Sequence, residues 1–310
     1  MNLQRRRVLT ALAALAGSTA LPALPALSAP AAAVPRWPGI RGGIVSESEA
    51  FSGAPMRGQR VSLLQPVALA ASPQVLYVAD AGWGRILRID RVRNSLGFIA
   101  APRVNVFTRL VLGPDGTLFV LEPGRKRIHA LFAPPGMRRS YAEGDSYLTH
   151  PVDIAWDERQ HHLVVADGLM QRLVTYRSTG FSQQLALRLS GDAALQELTA
   201  VACGPDGYAI LDRPQRRVWV FSREGGMLHA FGEDVLQNPH ALVIDWRGRT
   251  YVMDGGAGAV FVFDSRGKNL RRLNPPGGAL GGWRIGGLAQ DAQWLYISDA
   301  QGGRIDVVPL

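Results

Sequence analysis

Six copies of one short pattern constrain this chain more than its length or composition does. An apolar run ends in an acid, a turn follows, and an arginine five residues after the acid opens a second apolar run, as in LYVADAGWGRILRID over Leu76–Asp90. The acids are Asp80, Glu122, Asp167, Asp212, Asp254 and Asp299, at intervals of 42, 45, 45, 42 and 45 residues. Five places on stand Arg85, Arg127, Arg172, Arg217, Ala259 and Arg304, each followed by an aliphatic residue. A period of this length built from short strands and turns signals a β-propeller with one four-stranded blade per repeat. The expectation is an all-β, six-bladed propeller over residues 57–310.

Within a repeat, strand a is a short apolar stretch such as Ala241–Asp245, strand b ends at the acid, and strand c opens at the arginine. The weaker run that follows, such as Met227–Phe231, is strand d. GPDG at Gly113–Gly116 and again at Gly204–Gly207 marks turns between a and b. Strand c is apolar on both faces in VWVF (Val218–Phe221) and VFVF (Val260–Phe263), as expected where neighbouring blades cover both sides of a sheet. The acid is expected to accept backbone N–H bonds from the b–c turn and to pair with the arginine of strand c. Repeated around a ring, that is a device for building blades. The last repeat stops at Leu310 after strand c, which leaves no residues for its strand d. RVSLL (Arg60–Leu64), just before the first strand a, is expected to close the ring as the outer strand of the last blade.

On these repeats the chain resembles the NHL-repeat family of six-bladed propellers, in which strand b ends in Asp and strand c opens with Arg and an aliphatic residue. The likeness covers roughly Gln59–Leu310. Where that family often has Asn in the b–c turn, this chain has Trp83, Arg125, Met170, Gln215, Ala257 and Gly302.

The first 33 residues read as an export signal: Arg5-Arg6-Arg7, a weakly apolar Ala/Leu stretch, then Ala31-Ala32-Ala33 as the cleavage site. Arg5-Arg6-Arg7-Val8-Leu9 resembles the twin-arginine (Tat) pattern, and the expected location is the periplasm or the exterior. The apolar stretch is too short and Ala-rich for a transmembrane anchor. Residues 34–56 are expected to be a linker. Cys203 is the only cysteine, so no internal disulfide can form, and its place on a strand a reads as a buried small hydrophobe. The formal net charge is +9, supplied almost wholly by arginine. Some NHL-type propellers bind RNA through a basic face, but export argues against nucleic acid. An anionic glycan or small ligand, or an acidic protein, fits better.

Antiparallel strands bring d–a connections and b–c turns out on one face and a–b and c–d turns out on the other. Strand a is innermost, so its first residues ring the mouth of a central channel that the b–c turns crown. The candidate funnel residues are Trp83, Arg109, Arg125, His150, Asp153, Met170, Asn238, His240 and Arg284. The resemblance also supplies a metal test. Peptidyl-hydroxyglycine lyases hold zinc with three channel-facing histidines, and NPHAL (Asn238–Leu242) looks like one such element. The equivalents of His240 in the other blades are Val67, Thr108, Val152, Thr199 and Gly286, and a single histidine does not make the site. Gluconolactonase-type propellers place calcium in the channel; Asn238 and Asp153 could serve, but the early Glu-Gly-Pro element is missing. Walker A, G-x-S-x-G and HExxH motifs are absent. The resulting expectation is a binding or assembly module acting through its funnel face, with no cofactor. The competing reading is a hydrolase or lyase using a divalent metal in the channel.

Overall fold

The computed structural model describes residues 39–310 apart from 51, 101, 133–138, 144, 179, 192 and 277–281. The expected export signal lies outside the described residues. The N-terminal stretch expected to be a linker instead contains a strand, β1 (Gly42–Ser48), which pairs antiparallel with β2 (Arg60–Ser62).

Six sheets follow, each built from consecutive antiparallel strands. The first blade runs outward from β3 (Pro66–Ala71) through β4 (Val75–Asp80) and β5 (Arg85–Asp90) to β6 (Ser95–Ile99). The second holds β7 (Arg109–Leu112), β8 (Leu118–Glu122), β9 (Arg127–Leu131) and the two-residue β10 (Ser140–Tyr141). The third holds β11 (Pro151–Asp157), β12 (His162–Asp167), β13 (Arg172–Arg177) and β14 (Ser182–Ala186). The fourth holds β15 (Leu198–Cys203), β16 (Tyr208–Asp212), β17 (Arg217–Phe221) and β18 (Met227–Phe231). The fifth holds β19 (Pro239–Ile244), β20 (Thr250–Asp254), β21 (Ala259–Phe263) and β22 (Asn269–Leu273). The sixth has three strands, β23 (Leu288–Gln290), β24 (Trp294–Asp299) and β25 (Arg304–Pro309). The six-bladed all-β propeller expected from the repeats is the fold. No helix among the described residues is long and apolar enough to cross a membrane.

Every seam between blades has its own apolar cluster. Between the fourth and fifth blades, for example, Leu211 and Val218 pack with Leu242, Val252 and Phe263. This explains why strands b and c carry no in/out alternation: both faces of each sheet are buried against a neighbour. The seam between the last and first blades is filled in the same way, by Tyr296 and Ile305 against Leu69, Leu76, Val78 and Phe98.

Closure of the ring differs from the expectation in its residues. Arg60–Leu64 was expected on the outer edge of the last blade; instead β2 pairs with β1, and β1 runs parallel to β6 at the edge of the first blade. An N-terminal residue does reach the last blade, but it is Ile40. Its N–H donates to Ile305 O at 2.7 Å, and Ile305 N–H donates back to Ile40 O at 2.8 Å. Val61 and Leu63 insert their side chains into the last-to-first seam. Apolar contact put this segment at the seam, and strand pairing, which sequence does not encode directly, chose the other side of it.

Candidate functional site

The repeat acids do more than brace their turns. Asp80 accepts N–H bonds from Gly82 and Trp83 in the b–c turn (3.0 and 3.1 Å) and from Leu64 and Gln65 ahead of strand a (2.8 and 2.9 Å). Asp167 does the same with Met170, Thr149 and His150, and Asp254 with Ala257, Gln237 and Asn238. Asp212 accepts from Gln196, Glu197 and Gln215. Each of these carboxylates therefore ties two loops of the funnel face together. Asp299 keeps the turn bond, from Gly302 N–H at 2.8 Å. Glu122, one methylene longer, instead meets His129 Nε2 at 2.6 Å, and its turn is a 3₁₀ segment, Pro123–Arg125, closed by Lys126 at φ 51°.

The expected acid–arginine pairing is seen in the third and sixth blades. Arg304 Nε lies 3.3 Å from Asp299 and Arg172 Nη2 lies 3.8 Å from Asp167. Arg127 pairs with Glu143 and Arg217 with Glu233, while Arg85 Nη1 donates to Gly84 O.

The strands a enclose a channel cavity of about 710 Å³. Its wall at the funnel end includes Val106, Arg109, Asp153, Arg213, His240 and Ile285. Three sequence candidates, Arg109, Asp153 and His240, thus line the same cavity, from the second, third and fifth blades. A local device puts His240 there. Strands a of the first, third, fourth and fifth blades each carry a bulge at their second residue, leaving Val67, Val152, Thr199 and His240 unpaired in the ladder. Bulges re-aim side chains.

Asp153 on β11 bridges blades. Its Oδ2 accepts Val201 N–H of β15 at 2.9 Å, and its Oδ1 lies 3.8 Å from Arg109 Nε. Burial pushes its carboxyl up to about 6 against the opposing pull of the Arg109 charge. Burial likewise pushes the His240 imidazole down to about 4, so the ring is neutral at physiological pH. Arg109 also donates to Thr108 O at 3.1 Å, and exposed Arg213 pairs with exposed Glu197 at 3.0 Å. The funnel end of the channel therefore presents two guanidinium groups, Arg109 beside the buried Asp153 carboxyl and Arg213 in a surface pair with Glu197.

The other candidates stand off the channel wall. Trp83 is a seam residue: its Nε1 donates to Ser62 O at 2.8 Å, and its ring sits edge-on to Phe98 at 5.2 Å. Arg125, His150, Met170, Asn238 and Arg284 are exposed on the funnel face. Asn238 and Asp153 thus do not converge, and among the described residues no group of three or more His, Cys, Asp or Glu is placed to hold a metal. The donor set does not fit the divalent-metal alternative.

Two features of the channel went unread in the sequence. Arg213, directly after a repeat acid, lines the cavity. At the opposite end lies a second set of buried acids, Asp157, Asp245 and Asp291, at the ends of strands a. Each accepts N–H bonds from its own a–b turn, and each carries an arginine: Arg223 at 3.1 Å, Arg249 at 2.7 Å and Arg91 at 2.6 Å. A tyrosine hydroxyl joins two of them, Tyr251 on Asp245 at 3.2 Å and Tyr296 on Asp291 at 2.8 Å. Cys203 lies beside this layer, its thiol pushed well up by burial and by the Asp157 charge. A thiol held protonated is no nucleophile.

No protein-family model and no curated protein sequence matches the chain. Solved structures do. The chain is similar to virginiamycin B lyase from Staphylococcus aureus, with a TM-score of 0.57 and 11% identity over 79% of this chain and 84% of that one. It is similar to nidogen as seen in its complex with laminin, with a TM-score of 0.58 and 15% identity over 81% of this chain and 96% of that one. A gluconolactonase from Xanthomonas campestris gives a TM-score of 0.56 and 17% identity over 89% of this chain and 98% of that one. These likenesses establish the class, a six-bladed β-propeller. Its structural neighbours include lyases, a lactonase and a binding module, so the fold by itself selects no activity.

Proposed function

We propose that the protein is an exported, NHL-like propeller that acts as a binding module, taking an acidic group of its partner into the funnel end of the channel. One observation carries the reading: Arg109 and Arg213 line the mouth of an open cavity beside the apolar side chains of Val106 and Ile285. Burial disfavours the charged form of Asp153 beside Arg109, and the Arg213–Glu197 pair is exposed and weak, so an incoming anion can compete for both guanidinium groups. The apolar rim adds area that a carboxylated glycan, a small organic acid or an acidic protein segment can cover. Among the described residues no three His, Cys, Asp or Glu side chains converge, and the binding reading needs none. Export rests on the Arg5–Leu9 pattern and the alanine-rich stretch behind it.

Calorimetric titration with polygalacturonate, citrate and an oligo-glutamate peptide tests this. At least one should bind, and Arg109→Gln combined with Arg213→Gln should weaken it roughly tenfold or more, as expected for lost charge-assisted bonds. Equal affinity in the double variant, or no binding by any of the three, would refute the reading.

A further inference from the structure

The channel has a second mouth, on the face of the a–b turns, and it is built differently. The corresponding turn positions in the third to sixth blades hold Glu158, Pro205, Trp246 and Ala292, and the second blade has Pro114. Only Trp246 is a large apolar residue. It is 64% exposed, which is unusual for the largest side chain, and it lines the cavity together with Glu158, Arg159 and Gln290. A structural residue of this ring would recur around it, as the repeat acids do. A residue that stands alone in one blade marks a site, because one ligand breaks the ring's symmetry.

We propose that this second mouth is a carbohydrate subsite in which Trp246 stacks on the face of a pyranose ring. The turn holds the indole in place. Asp245, at the head of the turn, accepts N–H bonds from Arg247 and Arg249, each at 2.9 Å, and the Arg247 guanidinium sits over the indole, 4.5 Å from its centroid. That cation braces the ring from one side, which lowers the entropy lost when a ligand stacks on it. An aromatic platform at a mouth also lined by Glu158, Arg159 and Gln290 matches a ligand with an apolar C–H face and hydroxyl-bearing edges. An aromatic ligand would bury those polar groups without partners. The site lies at the far end of the channel from Arg109 and Arg213, so it is independent of anion capture.

The probes are neutral hexasaccharides: maltohexaose, cellohexaose, xylohexaose and chitohexaose. Calorimetry on the full-length protein should show at least one binding, with a change in tryptophan fluorescence. Trp246→Ala should weaken it roughly tenfold at unchanged melting temperature, since the side chain is mostly in solvent. Trp246→Phe should keep most of the affinity and lose the fluorescence change, and Val92→Ala, on the same face, should bind normally. Binding by none of the four sugars, binding only of an aromatic peptide probe such as N-acetyl-tyrosinamide, or undiminished affinity in Trp246→Ala would each overturn the proposal.

Discussion

Replacing Asp153 by asparagine should change how stability depends on pH, by an amount the structure fixes. The carboxyl titrates at about 6 in the folded chain against an ordinary value of 3.8. Its side chain is only 14% exposed, so solvent screens little of this. A raised carboxyl favours the folded state fully below about pH 3.8, and that advantage is lost as pH rises through about 6. Linkage puts the loss at about 1 kcal/mol by pH 4.5 and about 3 kcal/mol by pH 7. The asparagine side chain keeps an oxygen for the Val201 N–H but does not titrate. The variant should therefore gain on the parent by about 2 kcal/mol between pH 4.5 and 7. The parent's own profile does not isolate this, because His240 acts in the opposite sense. Its depressed value favours the folded state above about pH 6.5 and loses that advantage as pH falls towards about 4. The difference between parent and variant cancels the His240 contribution, which both chains carry. Urea unfolding at five pH values supplies the two curves. A parent-to-variant difference that stays flat across the range would refute the raised titration of this buried carboxyl and the electrostatic account of the mouth with it.

Asp80→Ala leaves four backbone donors without their acceptor and should cost at least ~3 kcal/mol, whereas Glu122→Ala, which loses one contact to His129, should cost about 1 kcal/mol; both are read from urea midpoints. A chain starting at Gly39 should melt like the parent, while one starting at Glu49 loses β1 and the Ile40–Ile305 bridge and should show a large drop in melting temperature. Cys203 should react slowly with iodoacetamide at pH 8 in the folded protein and quickly in urea, and equal rates would contradict the buried thiol. Lysine at both Arg5 and Arg6 should abolish Tat-dependent export, and undiminished periplasmic protein in that variant would point to the Sec route instead.

The blade count and the role of the repeat acids were legible because their cause is local. An acid that ends strand b accepts N–H groups two and three residues on, and six copies in register expose the device. The bonds to the segment ahead of strand a, some 15 residues earlier, join parts of the chain whose contact depends on the folded blade, and no spacing rule announced them. The same limit explains the ring closure. Val61 and Leu63 are apolar at alternate positions, as an edge strand requires, but RVSLL suits either side of the last-to-first seam. Arg109, Asp153 and His240 line the channel because distance along strand a sets depth in it. A tryptophan in a glycine-rich turn reads as a crown residue, and only the fold reveals that Ser62 and Phe98 hold Trp83 at a seam. Arg213 was passed over because it stands inside the repeat turn itself, where the pattern invites a structural reading. Asp157, Asp245 and Asp291 recur at the ends of strands a, but GPDG replaces that acid in two blades and dilutes the signal.

The central claim is that an acidic group enters the channel at its funnel end, and locating a bound anion tests it most directly. Crystals soaked in selenate and measured at the selenium edge would show the anion by its anomalous signal. The account predicts a peak at the funnel end within hydrogen-bonding reach of the Arg109 or Arg213 guanidinium, stronger in crystals at pH 5 than at pH 8 because protonation of Asp153 removes the competing charge. A peak only at the opposite mouth, or none within the channel, would contradict it.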